Sequence, residues 1–344
     1  MRESAVRCYC EHLTGRLGGG DYGLFRRTGM VLSRGRFMKK IALLFAGQGA
    51  QVVGMGQDLS ENYPAARALF ERANEILGYD LAGICHRGPE LELTKTEHAQ
   101  PGIYLVSWIA YQLVLEACPG LVVEAAAGLS LGEFTALVAG GALSFEDGLH
   151  LVRQRGLFMQ EACELTRGTM AAIIGLEEDA TRAVCQEADV ELANLNCPGQ
   201  LVISGEYESV VRASELAKAR GAKRAVVLPV AGAYHSRLMV SAQEKLRQAM
   251  EKLAWRTPAF PVVANVTARP HDVAADIQAL MVRQVTASVR WEESMRCLLG
   301  QGCRCFLELG PGTALSGFMR RIDRNVEVLN VADMPSLEKT MRAL

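Results

Sequence analysis

Between residues 121 and 134 the chain reads LVVEAAAGLSLGEF: an apolar run, then Gly128, Leu129, Ser130, Leu131 and Gly132, then helix-forming residues without a gap. Few folds accommodate that order. A glycine on each side of the serine lets the backbone reverse sharply and lets the following helix pack closely on the strand, because no Cβ intervenes. The serine hydroxyl is carried to the tip of the turn, at the positive end of the helix dipole, where backbone N–H groups can hold an oxyanion. The same five residues also fit a glycine-rich turn with a capping serine, so the remaining sequence has to separate the two.

The other elements alternate. IALLFAG (41 to 47) is a short buried-strand pattern closed by glycine, and helical patterns follow at about 63 to 77 and 102 to 117. Ser144 and Asp147 in LSFEDG form a capping box for a helix running through Leu149, Val152, Gly156 and Met159. From about Gly168 the pattern changes to strand TMAAIIGL, helix EEDATRAVCQEA, strand pair ELANLN and QLVISG, helix YESVVRASELAKARG and strand AKRAVVLPV. That β-α-β-β-α-β order is the split unit of a ferredoxin-like subdomain. Alternation of longer helices with single buried strands then resumes: a helix at about 238 to 253, strand PVVANV, helix DIQALMVRQV, strand CFLELG and helix ALSGFMRRI. The expected fold is α/β: a large domain with a mostly parallel sheet and a nucleophile elbow, residues 38–165 and 236–344, with a small ferredoxin-like subdomain, 166–235, inserted. Residues 1–37 stand apart, with Gly18, Gly19 and Gly20, several arginines and no periodicity. Glu3, Glu11 and Asp21 argue against an Arg-rich transit peptide. A disordered tail, or a start codon placed too early before Met38, fits better.

Composition narrows the function classes. A formal net charge of −1 over 344 residues is not that of a polycation seeking nucleic acid or membrane, and no apolar run approaches the roughly 18 residues that span a bilayer. Ten cysteines are too sparse for a disulfide scaffold and form no paired CxxC motif, so they read as reduced thiols of a cytoplasmic protein rather than zinc ligands.

A serine nucleophile needs a base. Of the six histidines, His12 lies in the leader, and His86, His98, His150 and His271 sit in surroundings that read as solvated surface. His235 follows LPVAGAY, where the chain leaves the inserted unit, and domain junctions are where pockets form. A lone loop histidine is nonetheless more often structural than catalytic. Arg155, in LVRQRGLF, lies on the capped helix after the elbow; it reads as a solvated face or as a two-pronged partner for a substrate carboxylate. GQGAQ (47 to 51) completes neither G-x-G-x-x-G nor a P-loop, so it is an ordinary turn or a loop that aims an amide at a neighbouring site. One strand precedes the elbow, no HGGG loop is present and no acid stands out as a third member, which weakens an α/β-hydrolase reading.

Taken together, FAGQGAQVVGMG, GPELELTKTEHAQP, GLSLGEFTALVAGGALSFEDGLHLVRQRGLFMQEA, NLNCPGQLVISG, HSRLM, VRQV and ELGPGTALSG resemble the malonyl-CoA:acyl carrier protein transacylase family of type II fatty acid synthesis, from Met38 almost to the C-terminus. The resemblance implies that Ser130 accepts the acyl group, that His235 is its base, and that the Gln284 main-chain carbonyl orients His235 in place of an acid. It also implies an oxyanion hole from the backbone N–H groups of Gln48 and Leu131, a malonyl carboxylate site at Arg155, and a cleft lined on the small-domain side by Asn196 and Gln200. The implied activity is ping-pong transfer of a malonyl group from malonyl-CoA to the phosphopantetheine thiol of acyl carrier protein, without metal or redox cofactor, by a monomer. Lys218, Arg220, Lys223 and Arg224 offer a basic patch for an acidic carrier protein, or form only a solvated helix end. Leu129 stands where the family most often has histidine, which removes a polar neighbour of Ser130. Tyr234 beside His235 resembles malonyl rather than methylmalonyl selection. Three other readings stay open: an acyltransferase of a polyketide or polyunsaturated-lipid synthase, a serine thioesterase or hydrolase, and a non-catalytic carrier-binding module.

Overall fold

The computed structural model describes residues 40–344; the 1–37 leader lies outside the described residues. The larger sheet has the order β7-β2-β1-β8-β9, from β1 (Lys40–Phe45), β2 (Val122–Gly128), β7 (Val262–Val263), β8 (Cys305–Leu309) and β9 (Glu327–Val331), and every pairing in it is parallel. A parallel sheet needs cover on both faces, which is why its strands read as continuous apolar runs. Alternate residues of β1 go to opposite cores. Ile41, Leu43 and Phe45 join the cluster containing α5 (Thr96–Ala117), α6 (Leu131–Ala139) and α7 (Phe145–Leu165). Ala42 and Leu44 join Trp291, Met295 and Leu298 of α12 (Trp291–Gly300) and Leu315 and Met319 of α13 (Ala314–Ile322). In chain order the helices between β1 and α5 are α1 (Gln57–Asn62), α2 (Pro64–Leu77), α3 (Leu81–Arg87) and α4 (Glu90–Thr94).

The smaller sheet has the order β4-β5-β3-β6, from β3 (Gly168–Ile174), β4 (Glu191–Cys197), β5 (Gln200–Glu206) and β6 (Arg224–Val227), with all pairings antiparallel. With α8 (Glu178–Ala188) and α9 (Tyr207–Ala219) it forms the expected β-α-β-β-α-β unit. Ala171, Ile173, Leu201 and Ile203 pack under the two helices, whereas Met170, Ala193 and Val202 belong to the core of the large sheet. Strand period two thus divides the small sheet between its own core and the larger one.

Local signals worked where the chemistry is local. Ser144 caps α7, its Oγ accepting from Asp147 N–H at 3.0 Å. The reciprocal half of the box is different: the Ser144 hydroxyl donates to the Asp147 carboxylate at 2.7 Å, so that side chain serves the cap hydroxyl instead of the cap backbone. PVVANV pairs in the sheet only at Val262 and Val263, after which the chain turns toward the elbow. The sequence does not announce β9 and α14 (Met334–Ala343); EVLNV is mostly half-exposed and too short for a clear period.

The elbow glycines are required by space. A Cβ on Gly128 would lie 1.9 Å from the Gly132 carbonyl, and one on Gly132 would lie 2.1 Å from Phe45 O. Both contacts are with backbone, which cannot swing away. We expect Gly128→Ala and Gly132→Ala each to lose about 3 kcal/mol or more in urea unfolding. Gly317→Ala, in α13 with nothing within 4 Å of the new methyl, should gain up to about 1 kcal/mol. Similar values for all three would show that the elbow is not close-packed.

Candidate active site

Ser130 has φ 52° and ψ −98°, a left-handed-side geometry that a residue with a Cβ adopts only when held there. The holding groups are identifiable. Asn265 Oδ1 accepts from Ser130 N–H at 2.7 Å, while Asn265 Nδ2 donates to Gly128 O at 2.7 Å, so one buried amide clamps the turn on both sides of Leu129. Gln284 Nε2 donates to Ser130 O at 2.9 Å, and Glu133 N–H donates to the same oxygen at 3.2 Å. The strain is thereby fixed by four hydrogen bonds from three segments of the chain.

His235, also at positive φ (58°), brings Nε2 to 2.8 Å from Ser130 Oγ. Its Nδ1 faces two main-chain carbonyls, Gln284 O at 2.9 Å and Ala287 O at 3.1 Å. Carbonyls only accept, so the proton sits on Nδ1 and Nε2 is left to accept from the serine hydroxyl. Burial, and after it the Arg155 charge, push the imidazole down to about 4, against the pull of the two carbonyls. The ring is neutral at ordinary pH, as a base must be.

Arg155 is 1% exposed, which reverses the default for a helical arginine. The face of α7 that carries it is inside because α7 packs on α5 so tightly that a Cβ on Gly156 would sit 2.6 Å from Thr96 O. Its Nη2 donates to Ser130 Oγ at 2.9 Å and to Gln284 Oε1 at 3.0 Å, and Nη1 donates to Gln100 Oε1 at 2.9 Å. The guanidinium lies 5.2 Å from the Phe134 ring centre. Burial lowers it to about 10, while Glu133 and Tyr234 oppose that shift. A buried cation with amide and hydroxyl partners and no carboxylate in contact has capacity for an anionic ligand.

Leu131 follows the serine directly, and the loop that carries Gln48 lies against the elbow. Leu131 is the first residue of α6, and its N–H is among the donors a helix leaves without an internal acceptor. The Gln48 loop is pressed onto the elbow, since a Cβ on Gly47 would meet Leu129 O at 2.4 Å. The Gln48 side chain accepts from Gln100 Nε2 at 3.2 Å and donates to Tyr234 Oη at 3.3 Å. Tyr234 in turn bonds Thr96 Oγ1 at 2.7 Å.

Asn196 and Gln200 are not gathered into this cluster. Gln200 Oε1 accepts from Arg321 Nη1 at 2.7 Å, and Asn196 Oδ1 is buried without a partner on β4. In the basic patch Lys218, Arg220, Lys223 and Arg224 are all exposed, but Arg220 is paired with Glu187. The solvated reading of His271 is wrong: its side chain is fully buried and its Nε2 lies 2.8 Å from Glu133 Oε1. His86 and His98 are half-buried against Phe70 and Tyr79, and only His150 of that group is exposed. Sequence reasoning also missed Asn265, Glu133 and Gln100. Glu133 reads as an ordinary first-turn acid, and Asn265 reaches Ser130 across 135 positions with no spacing to announce it. Among the described residues no group of three or more His, Cys, Asp and Glu side chains is arranged to hold a metal ion.

Asn265→Ala would leave Ser130 N–H and Gly128 O buried and unpaired. We expect a loss of about 2–5 kcal/mol in unfolding free energy, from the desolvation of two orphaned groups, with a parallel drop in the rate at which a serine-directed phosphonate labels Ser130. An unchanged melting temperature and labelling rate would contradict the clamp.

Comparison with known proteins gives the family. Residues 42–340 match the acyl transferase domain family. The malonyl CoA-acyl carrier protein transacylase of Bacillus subtilis is 43% identical over 312 residues, covering 89% of this chain and 98% of the relative. The solved transacylase of Coxiella burnetii superposes with a TM-score of 0.86 at 37% identity, over 89% of this chain and 98% of that one. A malonyl-transacylase solved in complex with a type II PKS acyl-carrier protein gives 0.86 at 38% identity, over 89% and 100%. With an elbow serine, a histidine and a buried arginine in contact, and with likeness of this extent, the chain belongs to the acyl transferase domain family and, within it, to the malonyl CoA-acyl carrier protein transacylases.

Proposed function

We propose that this protein transfers a malonyl group from malonyl-CoA to the phosphopantetheine thiol of an acyl carrier protein through a malonyl ester on Ser130. The observation that carries the reading is the position of Ser130 Oγ between His235 Nε2 at 2.8 Å and Arg155 Nη2 at 2.9 Å. One side takes a proton and the other receives a carboxylate.

In the first step His235 takes the hydroxyl proton as Ser130 attacks the thioester carbonyl, and the oxyanion is held by the N–H groups of Gln48 and Leu131, each worth ~3 kcal/mol of barrier. The intermediate collapses with cleavage of the C–S bond, and His235 returns the proton to the departing CoA sulfur. The carrier thiol repeats these events in reverse: His235 accepts its proton, the sulfur attacks the ester, and Ser130 is regenerated. During both steps the malonyl carboxylate lies against Arg155, which exchanges its bond to Ser130 Oγ for a charge-assisted one. Neutralising Arg155 in this way also lifts the charge that depresses His235, so the correct acyl group makes its own base stronger.

We assign the 38–165 and 236–344 segments to the domain that carries Ser130, Arg155 and Gln284, and 166–235 to a second domain that ends on the base His235 and offers Asn196 and Gln200 to the pantetheine arm. Lys218, Lys223 and Arg224, which are exposed on that second unit, are its contact with the carrier protein; Arg220 is engaged by Glu187. Cys85, Cys118, Cys163, Cys185, Cys197, Cys297 and Cys303 are free thiols, in keeping with a reducing cytoplasm, and we take the working form to be a monomer. Among the described residues no helix is long and apolar enough to cross a membrane.

The pH dependence follows from the two shifted groups. The base works only when neutral, so kcat/KM for malonyl-CoA should fall as pH drops through about 4. The carboxylate site works only when charged, so kcat/KM should also fall as pH rises through about 10. Rapid-quench acylation rates flat between these limits agree with the assignment; an acid limb at the ordinary histidine position would not. Arg155→Ala should lower malonyl kcat/KM by about 100- to 1,000-fold, the value of a buried charge-assisted pair, with a much smaller effect on acetyl-CoA. An unchanged malonyl-to-acetyl ratio would remove Arg155 from the substrate site, and fast release of free malonate without carrier protein would favour a hydrolase.

A further inference from the structure

Arg155 poses a problem that its own contacts do not solve. It is fully buried, yet the groups that touch it are Gln100 Oε1, Gln284 Oε1, Ser130 Oγ and the face of Phe134, none of which carries a charge. A buried guanidinium with no counter-charge is unfavourable by several kcal/mol. The nearest candidate lies one residue deeper. Glu133, 1% exposed on α6, accepts from Gln284 Nε2 at 2.7 Å, from Asn265 N–H at 3.1 Å and from His271 Nε2 at 2.8 Å. Three donors on one carboxyl group is the coordination of an ionised carboxylate. His271 meets that carboxylate through Nε2, and its Nδ1 is buried without a partner.

We propose that Glu133 is the counter-ion of Arg155, acting through the side-chain amide of Gln284, and that this one-amide separation keeps the guanidinium charged while leaving its anion-binding face free. The amide of Gln284 is polarised in one direction. Its N–H₂ points at Glu133 and at Ser130 O, which leaves Oε1 as the only end available to Arg155. A neutral residue at 133 would release that orientation. A carboxylate in direct contact with Arg155 would instead compete with the substrate's own carboxylate. Glu133 is therefore a positioning residue: it sets the charge and aim of the group that reads the acyl chain and does not touch that chain itself. The titratable groups facing Arg155 are Glu133 from α6 and Tyr234 and His235 from the segment after β6, and the one facing Glu133 is His271. Gln284 contributes an amide from α11 (Ala274–Gln284), the helix after α10 (Val240–Met250).

The inference rests on the reading of Arg155 as a carboxylate site, and the test has two independent arms. The first is stability, which requires no activity. Glu133→Gln should lower the melting temperature, and adding Arg155→Met should raise it again, because the double variant removes the charge left unbalanced. A double variant that is no more stable than Glu133→Gln, or that fails to fold when the single variant also fails, overturns the proposal. The second arm is the pH profile. In Glu133→Gln the alkaline limb for malonyl-CoA should move down by roughly one pH unit or more, and the malonyl-over-acetyl ratio at pH 8 should fall about tenfold. Glu133→Asp, which retains the charge, should keep the limb near its original place. Equal losses with both thioesters and an unmoved limb would mean that Glu133 only supports the fold. If the wild-type protein is acylated by neither thioester, the transfer reading has failed, while the stability arm still decides whether the two charges are coupled.

Discussion

Everything in this site depends on keeping a positive charge away from water without cancelling it. The Arg155 guanidinium reaches the serine oxygen because α5 and α7 press together at Gly156, and acceptors surround it there, with Glu133 one amide behind. Solvent admitted there would screen the field and offer water as a competing nucleophile against the carrier thiol. A direct carboxylate partner would occupy the place the substrate needs. The arrangement found, amide oxygens in contact and a carboxylate one layer back, satisfies both demands.

The same few residues serve several groups at once. Gln284 orients His235 with its main-chain carbonyl, supports the strained serine with Nε2 and holds Arg155 with Oε1. Asn265 clamps both ends of the elbow. Gln284 ends α11 and Asn265 lies just beyond β7, so the parallel sheet and its covering helices deliver them to the carboxyl ends of β1 and β2, where an open α/β sheet places its ligands. At the neighbouring β8, Glu308 is buried at 1% exposure and accepts from Leu315 and Ser316 N–H, capping α13 from a strand. Burial raises its carboxyl group above the usual range, against the pull of those bonds.

The local parts of this arrangement are legible in the sequence. Gly128, Ser130 and Gly132 announce the elbow because strand, turn and helix are consecutive, and the 2-residue and 3.6-residue periods give the small inserted unit in the right order. His235 is separable from the other histidines by its place at a junction, but its contact with Ser130, 105 positions away, follows from family likeness and not from spacing. The buried polar layer is not legible. Asn265 looks like the end of a strand, Glu133 like a helix-dipole acid and His271 like surface, because polarity alone does not reveal that three donors from distant segments converge on one carboxylate. Asn196 and Gln200 are named by likeness, and the contacts they make are not with the serine cluster.

The most direct test of the central claim is intact mass spectrometry after brief mixing with malonyl-CoA, with peptide mapping and a chase by carrier protein. The account requires a single malonyl ester, mapped to Ser130, that appears before carrier protein is added and moves to its phosphopantetheine thiol afterwards. An adduct on another residue, or malonyl transfer to carrier protein at full rate in Ser130→Ala, would contradict it.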